Sequence, residues 1–167
     1  MGCDRATQYA ESVVSGDTIA GPHVRAQCQR HISDIDADND LIWSQEKADH
    51  AIGFFEEILV LNGGKFEGTP FLLHPSQAFI VGSIFGWLRK DGTRRYRRAY
   101  IEMGKGNGKS PLAAGIGMYG LLVDGEPRAE VYAAATKVRK ALEYQISKST
   151  AIRPIKINVS QASMLCP

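Results

Sequence analysis

The sequence predicts an α/β protein: a helical segment over residues 1–64, followed by a core over residues 65–167 that centres on a strand, a glycine-rich turn and a helix. Three observations carry this reading. Apolar residues recur at helical spacing through the first third of the chain. Asn62-Gly63-Gly64 then breaks that pattern. Further on, Tyr96–Met103 reads as a strand with Ala99 and Ile101 facing one way, and it runs into the glycine cluster Gly104–Ser110 and the apolar run Pro111–Val123. At 167 residues, 44% hydrophobic and 23% charged, the chain is long enough to bury a core without disulfides, and its composition excludes a wholly disordered or collagen-like chain. The net charge of +2 sets up no strong global field. Three widely spaced cysteines, Cys3, Cys28 and Cys166, fit a reducing compartment better than a disulfide framework. The uncharged runs at 77–88 and 111–123 fall short of a membrane span, and the N-terminus has no signal-peptide pattern.

Taken in order, Arg5–Ser15 is a short helix that Gly16 stops. Pro22 opens a second helix, on which Val24, Cys28, His31 and Ile32 share a face. Asp34–Asp40 is an acidic break, and Ser44 caps the next helix, whose stripe is Ala48, Ile52, Phe55 and Leu59. Phe66–Leu73, interrupted by Pro70, reads as an extended loop. Gln77–Leu88 is apolar nearly all round and predicts a buried helix. Asp91-Gly92 marks a tight turn within Arg89–Arg95. Tyr96–Met103 predicts a strand, Gly104–Ser110 a turn and Pro111–Val123 a helix. Gly115, Gly117 and Gly120 each lower that helix's propensity by about 1 kcal/mol, which fits close packing against a sheet. Asp124–Pro127 is a turn, Val131–Thr136 a candidate buried strand and Lys137–Ser149 a candidate helix.

The chemistry concentrates in Gly104-Lys105-Gly106-Asn107-Gly108-Lys109-Ser110. A glycine-rich turn between a strand and a helix can aim successive backbone N–H groups at phosphate oxygens, and the helix adds its N-terminal dipole. In that arrangement Lys109 reaches the β- and γ-phosphates and Ser110 places its hydroxyl on Mg²⁺. The glycine that opens the standard pattern falls on Met103, with Gly104 one residue later. A flexible basic glycine loop is the plainer alternative.

The order and spacing of several stretches resemble the N-terminal part of a tailed-phage large terminase subunit, over roughly residues 9–137. They are Tyr9–Gly16, Phe71–Gln77, Gly86-Trp87, Tyr100–Glu102 running into Asn107–Ser110, Asp124–Pro127 and Glu130–Thr136. The resemblance implies a P-loop NTPase-type parallel sheet, incomplete here, in an ATP-driven motor that moves duplex DNA into procapsids. It implies ATP and Mg²⁺ as cofactors, and duplex DNA, a small terminase subunit and a portal protein as partners. It also implies a homo-oligomer in the full-length parent and the cytoplasm of the bacterial host as location. Gly104, Gly106, Asn107, Gly108, Lys109 and Ser110 would surround the nucleotide, with Ser110 on the metal. Lys109 and Lys105 would be the catalytic cations; Lys105 stands where the family usually has an arginine and keeps the charge without the planar fork. Gln77 of Pro75-Ser76-Gln77 would read the adenine edge, since a carboxamide offers donor and acceptor together. A glutamine that merely flanks a buried helix is the structural alternative.

Other features weigh less. Six cations lie within residues 89–98, and Arg94, Arg95, Arg97 and Arg98 are candidate DNA contacts; a solvated hairpin edge or an inter-subunit contact would use the same residues. The run Asp34–Asp40 misses a calcium loop, with Asn39 at the glycine position and Gln45 at the twelfth. Cys28 and His31, with His23 nearby, lack the second pair of a zinc site. Leu121–Glu126 imitates a buried strand ending in carboxylates, yet it directly follows the loop helix and reads as a helix-ending turn. No other such strand and no nuclease carboxylates are evident, and the family likeness fades after Lys137, so the chain is expected to be a truncated member of its family. Two alternatives arise from those absences: a nucleotide-binding fragment without hydrolysis, and a non-functional prophage remnant.

Overall fold

The computed structural model describes residues 4–61, 66–125, 128 and 130–132. The first helix, α1, spans Arg5–Ser15; Asp4 caps it through the Thr7 N–H, and Gly16 ends it at φ +98°. Helix α2 runs Pro22–Asp36 with Pro22 in its first turn, so it extends into the stretch expected as an acidic break. On its expected apolar face, Cys28 and His31 are buried, whereas Val24 stays 41% exposed. A short strand, β1 (Leu41–Trp43), leads to α3 (Gln45–Gly53), whose Lys47 N–H donates to the Ser44 hydroxyl at 3.3 Å.

The stripe Ala48, Ile52, Phe55 and Leu59 is buried throughout, but α-helix does not carry all of it. At Phe54–Ile58 the helix widens into one π-helical turn, closed by the Leu59 N–H on the Phe54 carbonyl five residues back. Residues 66–71 then return antiparallel along 59–61, with Phe71 N–H on Leu59 O (3.1 Å) and Leu61 N–H on Thr69 O (2.8 Å). The stop expected at Asn62–Gly64, and with it the 64/65 boundary, lies outside the described residues.

Helix α4 (Pro75–Gly86) is the central element and is buried on nearly every side, as its uniform hydrophobicity requires. It has α1 on one side and α3 on another, and Gly82 lets α1 come close: a Cβ there would lie 2.9 Å from that of Ala6. The last two residues expected in this helix, Trp87 and Leu88, instead begin β2 (Trp87–Arg89), which pairs antiparallel with β1, Trp43 opposite Trp87. The turn at Asp91-Gly92 comes next, with Arg89 N–H bonded to Thr93 O. The final described helix, α5, spans Lys109–Leu122.

The parallel sheet expected for the core is not shown among the described residues. Among the described residues the sheet is the two-stranded antiparallel β1–β2 pair. Residues 96–103 form no strand, because no neighbouring strand among the described residues receives their N–H and C=O groups. Residues 131 and 132 are likewise not in a strand, while 133–136 and the candidate helix 137–149 lie outside the described residues. Two glycines of α5 meet side chains: a Cβ on Gly115 would fall 2.2 Å from Phe55 Cε1, inside the ring's van der Waals surface, and one on Gly117 would fall 3.1 Å from Val131 Cγ1.

The core has two parts. One gathers Ile52, Phe55, Leu59, Phe71, Phe85, Leu112 and Tyr119 from α3 through α5. The other gathers Ala6, Ala10, Val13 and Cys28 against Phe79. Beside the second lies a buried chain of hydrogen bonds. Trp87 Nε1 donates to His31 Nδ1 at 2.9 Å. An indole N–H can only donate, so the neutral imidazole carries its proton on Nε2, 3.0 Å from Thr7 Oγ1. The Thr7 hydroxyl then donates to Asp4 Oδ2 at 2.6 Å, and Trp43 Nε1 donates to the same oxygen at 2.7 Å. Both nitrogens of His31 are thereby satisfied, and burial pushes its pKa down to about 4. Cys28 is buried as well, and burial raises its thiol to about 11. These are a core histidine and a core cysteine; among the described residues no cluster of His, Cys, Asp or Glu can hold a metal ion.

A candidate nucleotide-binding loop

Residues 104–108 form an exposed turn that delivers the chain into α5. Gly106 and Gly108 both take left-handed φ, +88° and +75°, on either side of Asn107. Such a conformation is open to glycine at little cost and strains most other residues. The turn is closed by Asn107 N–H on Gly104 O, and the first helical bond is Leu112 N–H on Gly108 O at 3.0 Å. The N–H groups of Lys109 and Ser110 therefore precede the helical ladder, and Pro111 has none. No acidic side chain stands in the first turn of α5 to compete for them. Lys109 and Ser110 are exposed there, and the Lys109 ammonium donates to the carbonyl of Met103 just ahead of the loop. Lys105 is exposed at the outer part of the turn.

Gln77 reaches this loop from below. His74 and Gln77 form a reciprocal cap at the start of α4: the His74 N–H donates to Gln77 Oε1 at 3.0 Å, and His74 Nδ1 accepts from the Ser76 N–H. Gln77 Nε2 donates to Asn107 O at 3.3 Å. A Cβ on Gly108 would lie 3.1 Å from that same nitrogen. The structure thus brings Gln77 and the loop together, with the carboxamide oxygen engaged in the cap and one N–H on the loop.

The basic run divides. Arg94 pairs with Asp124 and lies over the Phe85 ring. Arg95 pairs with Asp34 at 2.6 Å and stacks on both Trp87 and Tyr96. Only 15% of the Arg95 side chain is exposed. Arg97 and Arg98 face solvent. Asp124 follows the C-cap Val123 of α5, its N–H bonded to Tyr119 O at 3.1 Å, in keeping with the helix-ending turn read from the sequence.

Sequence reasoning missed Arg5 and Glu56, which bracket the segment leading to Gln77. Arg5 Nη1 donates to both Glu56 oxygens at 2.8 Å, Arg5 Nη2 to Leu73 O at 3.1 Å, and Leu73 N–H to Glu56 Oε1 at 3.0 Å. The sequence offers no periodic signal for a bond linking residues so far apart.

Among the described residues no helix is long and apolar enough to cross a membrane. No curated protein and no solved structure matches the chain significantly. The sequence does match the terminase large subunit ATPase domain over residues 75–165, a stretch that opens at the first residue of α4, takes in the whole glycine loop and α5, and continues past Lys137, where the likeness was expected to fade. That match covers more than half of the chain, and the protein belongs to the family of terminase large subunit ATPase domains.

Proposed function

We propose that this chain binds ATP with Mg²⁺ at the 104–110 loop and serves as the ATP-binding part of a motor that drives duplex DNA into procapsids. The observation that carries the reading is the loop itself. Two left-handed glycines lead into a helix whose first N–H groups precede its ladder, and Lys109 and Ser110 stand in that first turn. A triphosphate brings the negative charge that such a helix end favours. In this reading Gly104, Gly106, Asn107 and Gly108 supply the backbone around the phosphates. Lys109 and Lys105 supply positive charge, and Ser110 supplies a hydroxyl to the metal. The donor set fits a metal that arrives with the nucleotide: one hydroxyl and no carboxylate in the first turn of α5 could not hold Mg²⁺ unaided. Gln77 lies against the loop with a second amide proton left over for an adenine acceptor. Residues 1–64 form the helical segment in front of this core and residues 65–167 its P-loop part, with the parallel sheet the family implies. A small terminase subunit, a portal protein and further copies of the chain are the partners of that assembly.

The test is ATP binding to the purified chain with Mg²⁺, read by a fluorescent ATP analogue and by calorimetry, beside Lys109→Ala. Binding that the substitution weakens by about tenfold or more supports the reading, since one charge-assisted phosphate contact is of that size. A folded protein that binds no ATP overturns it. Turnover measured on the same samples separates a motor component from a binding module without hydrolysis.

A further inference from the structure

The π-helical turn at Phe54–Ile58 contacts two elements that hold the glycine loop, α5 behind it and the segment leading to Gln77. Phe55 lies under Gly115 of α5, the helix that carries Lys109 and Ser110. Phe54 meets Tyr119 of the same helix edge-on, with ring centroids 5.4 Å apart. The next residue, Glu56, turns to the opposite wall. Its carboxylate accepts the Leu73 N–H, while its ion-pair partner Arg5 donates to the Leu73 carbonyl. That carbonyl and the His74 N–H belong to one peptide unit, and the His74 N–H is bonded in turn to Gln77 Oε1. Gln77 then holds Asn107 O. Three consecutive backbone groups, Leu73 N–H, Leu73 C=O and His74 N–H, are thus fixed by Glu56, Arg5 and Gln77, and the last of these holds the loop. A π turn holds one residue more than an α turn, which rotates the residues beyond it by about 100° relative to α-helical register. The extra residue sits where consecutive side chains must serve two walls.

We propose that Glu56 is a positioning residue for nucleotide binding: by holding the Leu73 N–H, and through its partner Arg5 the Leu73–His74 peptide, it sets Gln77, and Gln77 sets the 107–108 backbone into which the phosphates enter. The inference rests on the assignment of the 104–110 loop as the ATP site. Glu56 does not touch the nucleotide; it acts only through the segment it holds.

The experiment measures affinity for a fluorescent ATP analogue with Mg²⁺ on the full chain, well below the melting temperature, for wild type, Glu56→Ala and Glu56→Gln. Glu56→Ala is expected to weaken binding about fivefold or more, the size of one lost charged hydrogen bond passed on to the loop. Glu56→Gln keeps an oxygen for the Leu73 N–H but loses the ion pair to Arg5, and is expected to bind more tightly than Glu56→Ala and within about threefold of wild type. Amide resonances of Gly106 and Gly108 should shift in Glu56→Ala and stay near their wild-type positions in Glu56→Gln, a signature that a merely destabilised fold would not give. A folded Glu56→Ala with wild-type affinity overturns the proposal. If Glu56→Ala does not fold, Arg5→Ala decides: it removes the hold on the Leu73 carbonyl, a loss of affinity of about threefold is expected, and unchanged affinity overturns the proposal. Wild type that binds no ATP overturns the assignment of the loop, and the role of Glu56 with it; an Ala variant that binds as wild type does overturns the role of Glu56 alone.

Discussion

Gly108 shows how much one residue decides in this site. Its φ of +75° would strain a residue with a side chain, and at 3.1 Å from the Cβ position Gln77 Nε2 would have to shift slightly to admit one. Gly108→Ala should therefore displace either the turn or the Gln77 brace. Strain of this kind is worth about 1–3 kcal/mol, and if the bound loop must carry it, ATP affinity falls about tenfold, measurable by the same fluorescent titration. The arginines make the complementary point. Arg97 and Arg98 face solvent, whereas Arg95 is paired with Asp34 and sandwiched by two rings. If duplex DNA touches this edge, Arg97→Ala with Arg98→Ala should weaken binding at all sequences and lower the salt slope by about 2, without altering the melting temperature. Arg95→Ala should instead lower stability, because it leaves the largely buried Asp34 carboxylate unpaired. A DNA-binding titration at several salt concentrations, run beside thermal melts, separates the two effects.

At the scale of elements, Gly115 lets α5 lie close against the π-helical turn. A methyl group on Gly115 would overlap the buried Phe55 ring, so the ring or the helix would have to shift. Gly115→Ala should cost about 1–3 kcal/mol despite the gain in helix propensity, a loss that urea unfolding would register. Gly120, with nothing within 4 Å of the same position, should tolerate alanine and gain from it. The sequence made the helix ends legible because single residues mark them: Gly16, Pro22 and Ser44 each act locally. It could not reveal the π turn, since Ala48, Ile52, Phe55 and Leu59 satisfy α-helical spacing equally well. Nor could it reveal β1 and β2, each too short for alternation to register. The glycine loop was readable from its own residues, but its contact with Gln77 spans 30 positions and depends on how α4 packs.

At the scale of the whole molecule, burial of one histidine ties stability to pH. His31 is held neutral, with its pKa lowered to about 4 from an ordinary 6.5. The unfolded chain takes up a proton near 6.5 and the folded one does not until about 4. Stability from this group is therefore full above 6.5, declines as pH falls below it, and is lost once pH has passed through 4. The full span is about 3 kcal/mol. Thermal melts from about pH 8 to 4 should show a fall that begins below 6.5. His31→Gln, whose carboxamide can still accept from Trp87 and donate to Thr7, should start lower and lose that segment of the slope.

The pairing of Trp43 with Trp87 has a practical corollary. These are the two tryptophans of the sequence, their rings lie 5.4 Å apart, and both border the imidazole of His31. Nearly all intrinsic emission of the protein thus originates from a single knot at the junction of β1, β2 and α2, remote in contacts from the glycine turn. Native fluorescence should report on the opening of that junction and on protonation of the imidazole that both rings border, rather than on what enters the loop. An optical assay for occupancy must carry its own dye.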